Sequence, residues 1–182
     1  MELLHRGVDQ SRPDNSALHL EVTRLFERYR EPVFRYAYGV LQDAAEAEDT
    51  TQEAFLRYYR EVKKGREIAP RAWLFRVAHN LAIDRLRARS QCTTLAEERW
   101  SNLGETRSDE RLDVHADVLR REQRRKLRAV TEGLSDRERH CIALRLEGLR
   151  YREIAGVLGV GISSVENYVS RAVRKIMKEF DA

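Results

Sequence analysis

Asp43, Glu46, Asp49 and Glu53 stand three or four residues apart, and carboxylates so spaced on one helix could hold a metal ion. A helical carboxylate centre of that kind also needs a histidine three residues after a glutamate, and none follows any of the four. The sequence has one Glu-x-x-His, Glu2 to His5, and it falls in an expected N-terminal tail. Cys92 and Cys141 form no Cys-x-x-Cys pair, so they read as ordinary reduced thiols and not as a zinc or disulfide framework. No catalytic residue, metal or cofactor is therefore expected, and the protein is not expected to be an enzyme.

A second kind of chemistry, the reading of nucleic acid, has stronger support. Ser163, Ser164, Asn167, Ser170, Arg171, Arg174 and Lys175 supply hydroxyls, an amide and cations along one stretch. These are the groups that meet base edges and phosphates when a helix enters a major groove. The element carrying them is legible. Tyr151, Ile154, Ala155 and Leu158 follow helical spacing, Gly159-Val160-Gly161 interrupts, and Ile162, Val165, Val169, Ala172 and Ile176 resume it. Ala155 is small where two axes must approach, Gly159 suits the positive φ of a tight turn, and Val165 packs the second helix on the first. The spacing describes a helix-turn-helix, with a plain helical hairpin as the alternative. Ser163 with Glu166 could instead be a capping box. Upstream, residues 134–138 (LSDRE) read as an N-cap before a helix whose apolar side holds Cys141, Ile142, Leu144 and Leu146.

Two further helical faces lie in the first half. On a helix over residues 46–60, Ala47, Thr51, Ala54 and Tyr58 share a core side, while Asp49, Gln52, Glu53 and Leu56 share the other. A leucine among acids on an outward face suits a protein partner with basic and apolar features, or is a stray apolar residue on a solvated surface. On the next helix Trp73, Leu74, Val77, Ala78 and Leu81 line one side, and Arg76, Asn80, Ile83 and Arg87 another. Residues 71–89 hold five arginines against one acid, Asp84, the electrostatic character of a nucleic-acid surface. The preceding loop, residues 61–70, carries Lys63, Lys64 and Arg66 and could hold an unstacked strand or be merely solvated.

The chain that must position these faces has 182 residues, 42% of them hydrophobic, with only nine glycines and three prolines. That composition favours helices and sufficient core for one domain or two small ones. No apolar run approaches a membrane span and the N-terminus lacks the pattern of a signal peptide, so a cytoplasmic protein without membrane insertion is expected. The net charge of +4 is unevenly spread: +2 over residues 1–89, −4 over 90–118 and +6 over 119–182. The expected fold is all-α: two small helical domains, the C-terminal one with a helix-turn-helix, joined by a flexible acidic linker. The expected boundaries are a tail at 1–19, a domain at 20–89, the linker at 90–118 and a domain at 119–182.

Residues 47–57 (AEDTTQEAFLR) followed by 72–87 (AWLFRVAHNLAIDRLR) resemble the second conserved region of bacterial sigma factors. Residues 134–139 (LSDRER), 147–155 (EGLRYREIA) and 164–172 (SVENYVSRA) are similar to the fourth. Two regions and a short linker are the arrangement of the extracytoplasmic-function (ECF) subfamily. The resemblance implies a factor that binds core RNA polymerase and directs promoter recognition, melting and initiation at a specific regulon. It implies that Asp49, Gln52, Glu53 and Leu56 dock on the clamp helices of the polymerase β′ subunit. Lys63, Lys64, Arg66, Arg76, Asn80, Asp84 and Arg87 would open the minus-ten element and hold a flipped base. Ser163, Ser164, Asn167, Ser170, Arg171, Arg174 and Lys175 would read the minus-thirty-five element, the helices before them would meet the β flap, and the linker would thread toward the active-site channel. An anti-sigma factor is an implied partner. Thr50 and Thr51 depart from the aliphatic residues common at their positions, and Glu166-Asn167 replace a more often basic pair. An autonomous helix-turn-helix repressor would explain residues 134–178 but not the Asp49/Glu53/Leu56 face.

Overall fold

A computed structural model describes residues 15–92 and 133–180. Glu2 and His5, most of the expected linker and the start of the expected C-terminal domain lie outside the described residues. Within them the chain is helical: α1 (Asn15–Leu41), α2 (Ala44–Lys63), α3 (Pro70–Cys92), α4 (Asp136–Leu146), α5 (Tyr151–Leu158) and α6 (Ile162–Phe180). Helix α1 begins five residues before the expected domain start, and Leu18 is already buried.

The first three helices pack on one another around Val33, Tyr36, Phe55, Leu74 and Phe75. Asp43 starts α2 by accepting a hydrogen bond from the Glu46 amide at 3.0 Å. Pro70 opens α3, where a missing N–H costs nothing. The expected 61–70 loop is thus shortened to residues 64–69. In the second unit Ser135 and Glu138 form a capping box at the head of α4. Gly159 ends α5 at φ 65° and turns the chain into α6, while Val165 is fully buried beneath the turn. Helices α5 and α6 are the expected helix-turn-helix.

Leu146 corrects the expected apolar side of α4, because it is 81% exposed while Cys141 and Leu144 are fully buried. Two residues beyond Leu144 is about 200° around the helix, so both cannot face one core. Ser163 is corrected as well. Helix α6 begins at Ile162, and the amides of Ser164 and Val165 both reach the Gly161 carbonyl, so Ser163 lies inside the first turn and caps nothing.

The two units share one continuous core. Helix α3 lies along α5, and α1 touches α4. Arg35 grips the Glu147 carboxylate through both Nε (3.0 Å) and Nη2 (2.8 Å), and Arg71 donates to the Glu147 carbonyl. Gly148, at φ 80°, adopts a backbone conformation that strains any residue with a Cβ, and it lies against the Arg71 guanidinium.

Candidate polymerase and nucleic-acid interfaces

Helix α2 separates as its spacing predicts. Ala47, Thr51, Ala54 and Tyr58 are buried, and Asp49, Gln52 and Leu56 are exposed, with Leu56 half open to solvent and Glu53 part-buried beside them. Glu53 accepts from Arg57 at 2.7 Å, which holds its carboxyl below the ordinary range. Asp49 has no ion-pair partner among the described residues.

The two threonines have a physical account. Thr51 returns its hydroxyl to the Ala47 carbonyl at 2.8 Å. Thr50, fully buried, accepts from Arg85, which also bonds the Glu46 carbonyl. An aliphatic residue at 50 would leave that guanidinium short of an acceptor.

Arg85 thereby corrects the charge reading of α3. Of its five arginines, Arg85 and Arg89 turn back to α2, Arg89 pairing with Asp43 and Glu46, and Arg71 turns to the other unit. Arg76 and Arg87 remain on the outward strip with Asn80 and Asp84, and Arg87 lies 3.6 Å from Asp84. Ile83, expected outward, packs against the core instead, because α3 is covered on two sides and only this narrow strip is left. The neighbouring loop is organised by one carboxylate: Glu61 takes Lys64 at 2.7 Å and also Arg66, and the Lys64 hydrogen bond leads in lowering its pKa. Lys63 stands 5.8 Å over the Tyr59 ring. Lys63, Lys64 and Arg66 are all exposed.

On α6, Ser163, Asn167, Ser170, Arg171 and Arg174 form one exposed stripe, and Ser164 is half-buried at its edge. Arg171 lies over the Tyr168 ring at 5.5 Å and donates to the Asn167 carbonyl at 3.4 Å, which steers its guanidinium along the helix. Lys175 is placed differently. Its ammonium donates to the Gly133 carbonyl at 3.0 Å and to Glu138 at 2.7 Å, so its charge serves the domain itself.

Glu138 is buried. Burial alone would raise its carboxyl pKa, but Lys175 and the Ser135 amide and hydroxyl outweigh it and hold the pKa below the usual range. The stability this gives is present above the ordinary carboxyl pKa and is lost as pH falls through the depressed one. Lys175→Ala should therefore cost about 1 to 2 kcal/mol at neutral pH and flatten the acid side of the stability curve, measured by urea unfolding between pH 3 and 7. Cys141 is an inert hydrophobe: burial pushes its thiol up to about 11. No group of three or more His, Cys, Asp or Glu side chains placed to hold a metal occurs among the described residues.

Two helical units, the second ending in a helix-turn-helix, carry these outward faces, and the family they belong to is shown by their matches. Residues 25–91 match Sigma-70 region 2, and residues 124–176 match Sigma-70 region 4. The chain is 34% identical to the ECF RNA polymerase sigma factor SigK of Mycobacterium ulcerans (strain Agy99), over 82% of this chain and 80% of that protein. It is 29% identical to SigK of Mycobacterium bovis (strain BCG / Pasteur 1173P2), over 86% and 83%. Its fold resembles that of RpoE in its co-crystal with the anti-sigma factor NepR from Bartonella quintana (TM-score 0.66, 17% identity, 89% of this chain and 98% of that one). It also resembles CnrH in complex with the cytosolic domain of CnrY (TM-score 0.58, 20% identity, 94% and 93%). The chain belongs to the ECF RNA polymerase sigma factors, initiation factors that bring RNA polymerase to promoters. Among the described residues no helix is long and apolar enough to cross a membrane.

Proposed function

We propose that the three exposed faces divide the work of initiation. Asp49, Gln52, Glu53 and Leu56 dock on the polymerase clamp helices, and α4 and α5 supply the contact with the β flap. Arg76, Asn80, Asp84 and Arg87, with Lys63, Lys64 and Arg66 on the adjoining turn, take the opened minus-ten element. Ser163, Ser164, Asn167, Ser170, Arg171 and Arg174 read the minus-thirty-five element, while Lys175 positions α6. The division follows the domains at residues 20–89 and 119–182, with residues 90–118 as the tether. The protein works in the cytoplasm, leaves nucleotide addition to the polymerase and is held in check by an anti-sigma factor. The observation that carries this reading is the Leu56 face: a half-exposed leucine set among Asp49, Gln52 and Glu53 on a helix whose opposite side is fully packed.

The upstream face is tested at single bases. Asn167→Ala and Arg171→Ala should each weaken recognition at particular minus-thirty-five positions by about 1 to 3 kcal/mol. Equal losses on intact and scrambled upstream elements, measured with holoenzyme at fixed salt, would reduce both to backbone contacts.

A further inference from the structure

The contact between the two units is built around a polar cluster that promoter reading does not use. Tyr36 of α1 is buried, and its hydroxyl lies 2.8 Å from His79 Nδ1 of α3 and 3.3 Å from His140 Nδ1 of α4. The two imidazoles meet edge to face at 5.0 Å, one from each unit. A phenol has one proton, so it donates to one Nδ1 and accepts from the other; this needs one neutral imidazole with a bare Nδ1. If both rings are protonated, both Nδ1 atoms become donors, the phenol proton loses its acceptor, and two like charges face each other in a buried site.

We propose that Tyr36, His79 and His140 form a latch that holds the two domains together while the imidazoles are neutral and releases them when acid protonates the pair. The surrounding charges reinforce it. Burial, then Arg137 and Arg87, disfavour the imidazolium at His79; burial, then His79, Arg137 and Arg139, disfavour it at His140, with Asp136 opposing. Cys141 on α4 acts on the Tyr36 hydroxyl from the same side as His140. Both histidine pKa values are lowered to about 4 in the closed state. The closed contact is then at full strength above the ordinary value of 6.5 and weakens as pH falls toward about 4.

The consequence for transcription rests on the reading above. The minus-ten and minus-thirty-five elements are about 25 base pairs apart, roughly 85 Å of duplex. With α3 against α5 and α5 against α6, the two DNA-reading helices are only about two helix layers, roughly 20 Å, apart. One closed molecule cannot read both elements, so release of the latch sets the supply of competent factor.

The test uses the full chain alone, without polymerase or DNA, so its outcome is independent of the sigma assignments. Small-angle X-ray scattering and far-UV circular dichroism would be followed from pH 7.5 to 4.5. The wild type should expand between about pH 6.5 and 4.5 with its helicity retained. His79→Gln/His140→Gln should show no acid-driven change in size, and Tyr36→Phe should be larger than wild type at pH 7.5. A wild type of constant size, an expansion that coincides with loss of helix, or a double variant that follows the wild-type curve would each overturn the latch.

Discussion

Asp49→Lys combined with Glu53→Lys is expected to abolish assembly with core RNA polymerase while leaving the fold in place. Both side chains project from the face of α2 opposite Ala47, Ala54 and Tyr58, and neither contributes to the core. The structural cost is confined to the Glu53–Arg57 pair, an exposed i,i+4 contact, and should stay below about 1 kcal/mol. The binding cost is far larger. Close charge pairs across an interface couple by about 1.5 to 7 kcal/mol, and reversal would turn the proposed attraction into repulsion beside Leu56. Affinity for core enzyme should fall by a factor of about 100 or more, measured by fluorescence anisotropy at fixed salt. A variant that binds normally, or one that melts far below wild type, would remove α2 from the interface.

The second large effect is expected at promoter melting. Arg76→Ala with Asn80→Ala should lower open-complex formation on duplex promoters by about 10- to 100-fold, because the strip they share is the part of α3 not covered by other helices. Initial promoter binding should change much less, since the α6 face proposed to read the minus-thirty-five element is untouched. A template with a premelted bubble should restore activity. Normal permanganate reactivity of the minus-ten thymines in the double variant would assign the strip another role.

The α2 face was legible because one side of that helix is packed and the other is open, which a 3.6-residue period reports directly. Helix α3 was harder to read for the opposite reason. It is covered on two sides, so its apolar residues are spread around the axis, and Phe75, buried at 1% exposure, was not assigned to the core side. Counting arginines overstated its positive face, since a count does not separate cations aimed at solvent from Arg71, Arg85 and Arg89, which reach backbone carbonyls and carboxylates inside the fold. The departures at Thr50 and Thr51 became intelligible only with Arg85 beside them, 35 residues away from Thr50 in sequence. The domain contact left no local signature: Tyr36 and His140 are 104 residues apart, and His79, although it stands within residues 72–87, carries no spacing that points to either of them.

Run-off transcription with core RNA polymerase, set beside a gel shift of the protein alone on the same promoter fragment at the same salt, tests the proposed division of work most directly. Each domain is small, and with α3 packed against α5 the two proposed reading surfaces stand far closer together than the promoter elements. The protein by itself should therefore bind duplex promoter DNA weakly, yet direct specific initiation once core enzyme is added. Tight, specific binding by the protein alone, with no stimulation of core enzyme across a genomic promoter library, would contradict the account.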